Sequence, residues 1–143
     1  MKIHQISVFL ENRAGQLAEI TGLLAAEGID LRAINVAETT DYGVIRIIAD
    51  DEQKACEVLQ RNSFVFSISD VQAVSVPDQP GGLSVLLKVI ADANIDVLYM
   101  YSIFGQKDGK ASMVFRVADQ QAFESALEKG GIDATDSVLG INN

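Results

Sequence analysis

Apolar and polar positions change period several times along the chain, and each change marks an element. From Ile3 to Leu10 they alternate, which puts Ile6, Val8 and Leu10 on one face of a strand. Asn12 to Gly15 is a polar turn. Leu17, Ile20 and Leu24 then recur at helical spacing, predicting a helix from Gln16 to Glu27 that stops at Gly28. Two strands follow, Leu31 to Thr39 and Gly43 to Ala49, joined by a turn at Thr40-Asp41-Tyr42. Asp50 or Asp51 caps a second helix to about Arg61, whose inner stripe is Ala55, Val58 and Leu59. Phe64 to Ile68 reads as a fourth strand.

The same order then returns. Val71 to Val76 is a strand, and Leu83, Leu86, Leu87 and Ile90 form a helical stripe. Val97 to Phe104 and Ala111 to Val117 are strands, with a hairpin signal at Lys107-Asp108-Gly109. Asp119 opens a helix with Phe123, Ala126 and Leu127 inward, ended by Gly130-Gly131; a last short strand reaches Leu139 or Ile141. Gly15 and Gly81 are 66 residues apart, as are Ile29-Asp30-Leu31 and Ile95-Asp96-Val97; from Ile45 and Met113 onward the spacing is 68. A match sustained across elements is an internal duplication, with a second hairpin loop two residues longer. The reading is α+β: two ferredoxin-like βαββαβ units, residues 1–70 and 71–143, each an antiparallel sheet with its helices on one face.

Such a unit leaves one sheet face bare. Val97 to Phe104 is apolar on both faces, so it needs a second cover. That predicts a homodimer or higher oligomer, unless the two copies cover each other.

Composition narrows the function. Of 143 residues 48% are hydrophobic and 22% charged, enough apolar material for a packed core. A net charge of −9 opposes nucleic acid and an anionic membrane surface, both of which need Lys and Arg. The single cysteine, Cys56, cannot form an internal disulfide and fits a reducing compartment. Lys2-Ile-His-Gln-Ile-Ser7 is too polar for a signal segment, and no apolar run nears the ~18 residues of a spanning helix. A cytoplasmic protein is expected.

The duplicated corner carries the candidate chemistry. Leu10-Glu-Asn-Arg-Ala-Gly-Gln-Leu-Ala-Glu-Ile20 and Val76-Pro-Asp-Gln-Pro-Gly-Gly-Leu-Ser-Val-Leu86 each end a strand, turn, and open a helix at a glycine. A helix N-terminus leaves N–H groups without intrahelical partners and carries partial positive charge, so it can hold a carboxylate. Turn residues such as Asn12 and Asp78 are favoured there with or without a ligand. Pro80 suits a helix opening by its fixed φ with or without a ligand.

With these residues in hand, the chain resembles a tandem pair of ACT domains, small regulatory modules that sense amino acids. The most specific parts are Leu10 to Leu17 followed by Glu27-Gly-Ile-Asp-Leu31, and Val76 to Leu83 followed by Ala93-Asn-Ile-Asp-Val97. The resemblance implies effector binding at the strand–helix turn, often where two domains meet. Carried over residue by residue, it implies a ligand site at Leu10, Asn12, Arg13, Ala14, Gly15 and Asp30, and at Val76, Asp78, Pro80, Gly81 and Asp96. Serine-binding members have histidine where this chain has Leu10 and Val76, so an aliphatic ligand fits better. The expected ligand is a small amino acid, its carboxylate on the amides near Gly15 or Gly81 and its ammonium on Asp30 or Asp96. Any output would pass through a partner protein.

Other residues read as structural. His4 has no His or Cys nearby, whereas zinc needs three or four ligands; Cys56 sits in a helix with no second cysteine. Tyr99 and Tyr101 project to one face of a strand, either lining a pocket or meeting another subunit. No phosphate loop, dinucleotide fingerprint or catalytic triad order is present, so neither an enzyme nor a cofactor is expected. Two rival readings remain: a scaffold module without ligand, and an RNA-recognition-like domain. The second shares the element order but needs exposed aromatics and a basic surface. A metal carrier has only one histidine and one cysteine to draw on.

Overall fold

A computed structural model describes residues 2–11, 13–38, 42–105 and 108–132. The elements are β1 (Lys2–Leu10), α1 (Gln16–Ala26), β2 (Leu31–Glu38), β3 (Gly43–Ala49), α2 (Glu52–Arg61), β4 (Val65–Pro77), α3 (Gly82–Asp92), β5 (Val97–Ser102), β6 (Lys110–Val117) and α4 (Gln120–Lys129). The chain divides into two compact units, one of His4–Ser69 and one beginning at Asp70. The predicted turn at Thr40-Asp41, part of the Lys107 hairpin and the strand ending near Leu139 or Ile141 lie outside the described residues.

The first unit has strand order β2-β3-β1-β4, and the second β4-β6-β5. The strand pairs that have been resolved in register are antiparallel: β1 with β3, β2 with β3, β4 with β6, and β5 with β6. The duplication holds at the level of register. Val8 pairs with Ile45 and Val74 with Met113; Leu10 pairs with Gly43 and Val76 with Ala111. Both edge pairs carry an irregularity at the same point, between Leu31 and Ala33 and between Val97 and Tyr99. The caps repeat too. Asp51 accepts from the Lys54 N–H and Asp119 from the Ala122 N–H, each at 3.0 Å. In the second hairpin Asp108 and Gly109 both have positive φ, 54° and 70°, a turn conformation that Asp and Gly tolerate.

Each unit has its own core. Ile6, Val8 and Leu10 pack with Ile20, Leu24, Ile45, Ile47 and the inner stripe of α2. In the second unit Val74 and Val76 pack with Leu86, Ile90, Phe115, Val117, Phe123 and Leu127. Residues that alternate with these along the strands face away from the helices. Several of them are buried as well, including Gln5, Ser7, Ile48, Ala73, Ser75 and Ser112. The polar ones find partners: Gln5 donates to Ser7 at 3.2 Å, and the Ser75 and Ser112 hydroxyls meet at 2.9 Å. Tyr101 and Ile103 are buried in the single chain, while Leu98 and Phe104 remain exposed.

Three sequence expectations need correction. Phe64 to Ile68 and Val71 to Val76 are not separate strands but one, β4, because Ser69-Asp70 contains no glycine or proline to break extended backbone. The strand from Val97 ends at Ser102, short of Phe104. Spacing puts Leu17, Ile20 and Leu24 on one side of α1, yet Leu17 is 44% exposed and of the three Ile20 and Leu24 are buried. At the first turn of a helix the side chain lies over the preceding loop rather than over the sheet.

Candidate functional site

Both corners end in a glycine that no other residue replaces without strain. Gly15 and Gly81 have φ of 86° and ψ of −10° and −9°, in the left-handed region. Each occupies the N-cap position, and neither helix has a side-chain hydrogen bond at its cap. α2 and α4, by contrast, are capped by aspartates. The two helices that begin at the duplicated corners therefore keep their N-terminal amides clear of a capping side chain, where an anion is favoured.

A cleft lies beside each corner. In the first unit it has a volume of about 90 Å³ and is lined by Leu10, Glu11, Arg13, Gln16, Leu17, Val36 and Gly43 to Ile45. In the second it has about 240 Å³ and is lined by Val76, Pro77, Gln79 to Gly82, Val85, Leu86 and Ile132.

The structure brings together some of the residues singled out from the sequence. Leu10 and Arg13 line the first cleft, and Val76, Pro80 and Gly81 the second. Ala14 and Gly15 form the exposed turn beside the first cleft without lining it. Asp78 is exposed on the second turn, its N–H donating to the Gly109 carbonyl at 2.9 Å, and it does not line that cleft. Asn12 lies outside the described residues.

Asp30 and Asp96 are placed elsewhere. Each follows the C-terminal end of its helix, and the 11 residues of α1 at ~1.5 Å per residue make that helix about 16 Å long. The Asp30 N–H donates to Asp50 Oδ1 at 2.9 Å, and Asp30 Oδ2 accepts from Arg32 Nη1 at 3.0 Å. The Asp30 and Asp96 carbonyls accept from Asp50 and Ala118 N–H at 3.0 and 3.1 Å, which ties the start of β2 to the end of β3 and β5 to β6. Neither aspartate lines the cleft of its own unit.

Residues the sequence reading passed over also shape the second corner. Gly82, buried, is one: a Cβ there would lie 2.0 Å from the Pro77 carbonyl oxygen. The turn folds that tightly because nothing projects from the first helical residue. Its closing bond, Gly82 N–H to the Gln79 carbonyl, is 3.0 Å, against 3.5 Å for Gln16 to Arg13 in the first unit. Val85 is 65% exposed, an apolar residue off the buried stripe of α3. The doubled glycine and that misplaced valine were the available signals. Ile132 closes the wall from beyond α4 and gave none.

The remaining candidates do not enter either cleft. His4 Nδ1 lies 2.7 Å from Glu52 Oε2. Burial and the neighbouring Glu52 carboxylate push the Cys56 thiol above its ordinary pKa, opposite to a reactive cysteine. The Tyr99 and Tyr101 rings stack with centroids 6.4 Å apart. Among the described residues no group of three or more His, Cys, Asp or Glu side chains is placed to hold a metal. Among them, too, no helix is long and apolar enough to cross a membrane.

Known proteins share this fold. The crystal structure of protein BT0572 from Bacteroides thetaiotaomicron is similar at 35% identity and a TM-score of 0.85, covering 93% of this chain and 91% of that one. The ligand-free regulatory subunit of aspartate kinase from Thermus thermophilus matches in fold at 15% identity and a TM-score of 0.62, over 89% of this chain and 91% of that one. The corresponding subunit from Thermus flavus gives 15% and 0.58, over 92% and 95%. The sequence model of the family described as an ACT domain pair matches residues 1–130. ACT domains are regulatory modules, and this chain belongs to the ACT domain pair family.

Proposed function

We propose that this protein is a non-catalytic regulator that binds a small amino acid at its strand–helix corners. The observation that carries the reading is the pairing of two features at one place. An N-terminal helix turn without a side-chain cap lies beside an open cleft in each unit. The helix end suits a carboxylate. The cleft beside it receives the side chain. Within a unit neither Asp30 nor Asp96 lines the cleft, so the acceptors for the ammonium are carbonyl oxygens of the turn and, at the second corner, the Gln79 amide. Fold likeness to regulatory subunits of aspartate kinase supports a role in controlling another protein. Ligand binding has that effect only if it favours one conformation over another.

Thermal melts with each of the twenty amino acids test the proposal. At about 100 times Kd a ligand adds ~2.7 kcal/mol, which raises Tm by several degrees in a chain of this size. A panel in which no amino acid moves Tm removes the sensing role.

A further inference from the structure

The two corners share a backbone plan and a family, yet their side chains have parted. The first helical residue is Gln16 in one and Gly82 in the other. Four residues beyond the N-cap stand Glu19 and Val85. Arg13 in the first turn corresponds to Gln79 in the second. From these differences, and resting on the amino-acid reading above, we infer that only the second corner holds the ligand, that it takes an amino acid with an apolar side chain, and that the first corner is closed to that ligand by its own side chains.

Space argues first. The cleft of the first unit has about 90 Å³ and that of the second about 240 Å³. Gln16 lines the smaller one, and its Oε1 is buried without a hydrogen-bond partner. At the matching position Gly82 presents no side chain, and Leu86 and Ile132 form the wall.

Charge argues in the same direction. Glu19 is an acidic residue in the first turn of α1, where it complements the positive end of the helix; α3 has none in its first turn. Arg13 lies over the first corner, its Nη2 3.7 Å from Glu19 and its Nε 3.6 Å from Glu11. A ligand carboxylate arriving there meets two carboxylates already in place and an arginine already engaged. At the second corner α3 has no acidic residue in its first turn, and the carboxylate of the preceding turn, Asp78, does not line the cleft.

The lining fixes the chemical class. Val76, Pro77, Pro80, Val85, Leu86 and Ile132 are apolar, and Gln79 is the one polar side chain among the lining residues. A charged ligand side chain would lose hydration there without gaining a partner. An aliphatic one would gain from burial.

Isothermal titration of the full chain with L-leucine, L-valine, L-serine, L-aspartate and L-lysine tests this, using wild type, Val85→Glu and Gln16→Ala. Val85 is largely exposed, so its replacement leaves the core intact. We expect leucine or valine to saturate at no more than one per chain, with Val85→Glu weakening that binding about tenfold by like-charge repulsion of the carboxylate. Gln16→Ala should leave the affinity within about twofold, since its corner is not used and burial differences elsewhere are small. Two ligands per chain, a preference for aspartate or lysine, or a Val85→Glu protein that binds like wild type would overturn the inference while leaving amino-acid binding standing. Loss of binding in Gln16→Ala would move the site to the first corner and overturn it too. A wild-type protein that binds no amino acid in the full panel of melts removes the underlying reading, and this inference with it.

Discussion

Replacing Gly82 with alanine probes the tight second corner directly. The new Cβ would sit 2.0 Å from the Pro77 carbonyl oxygen and 3.1 Å from its carbon. Both are backbone atoms, so no side chain can rotate away. The same oxygen accepts from the Gln79 N–H at 3.0 Å, so moving it loosens the turn. Overpacking of this kind costs up to about 3 kcal/mol, and alanine's better helix propensity returns about 1. The net loss is about 2 kcal/mol, or roughly 8 °C in Tm for a chain between the small and mid-sized classes. Gly22 provides the control. It lies inside α1 with nothing within 4 Å of its would-be Cβ, so Gly22→Ala should gain about 0.5–1 kcal/mol. Differential scanning calorimetry of both variants decides the matter. If Gly82→Ala melts at or above wild type, or tracks Gly22→Ala, the close approach of Pro77 does not shape this corner.

Three further outcomes follow from the same structure. Asp51→Ala and Asp119→Ala each remove a cap to a helix N–H and should cost ~1 kcal/mol apiece in urea unfolding, with their effects additive because they lie in different units. Phe123→Ala empties a fully buried site against Phe115, whose ring centroid is 5.6 Å away, and should cost about 3–5 kcal/mol. The Cys56 thiol, pushed up by burial and then by Glu52, stays protonated when folded at a pH where the unfolded thiol has begun to ionise. Its contribution to stability is therefore whole below the ordinary thiol pKa and is lost as pH rises from there through the raised folded value, and Cys56→Ser should flatten that alkaline slope in pH-dependent denaturation. Alkylation by iodoacetamide at neutral pH should be slow in the native protein and fast in urea.

The periodic parts of the fold were legible. Inner stripes of α2 and α4 were read from spacing alone, because a helix packed along its whole length buries every i, i+3 and i+4 position. Leu17 was misread because the first turn of α1 overhangs a loop instead of the sheet. The join at Ser69-Asp70 was missed because polar residues suggest a turn, whereas extended backbone continues wherever nothing forces it to bend. At the candidate site the corner glycines were legible because positive φ leaves few other choices. The family pattern groups Asp30 and Asp96 with them, but neither lines the cleft of its own unit. The contrast between the corners depends on volumes and on the approach of Pro77 to Gly82, neither of which spacing encodes.

Two-dimensional NMR of uniformly nitrogen-15-labelled protein, titrated with L-leucine, tests the central claim most directly. Saturable shifts should appear at the amides of Gly81, Gly82, Leu83 and Ser84; the Gly82 N–H is already given to the Gln79 carbonyl, so a carboxylate on the opening turn of α3 would sit on the other three. If those four resonances stay fixed through the twenty amino acids, or if the shifts gather away from the corner, an amino acid does not bind there.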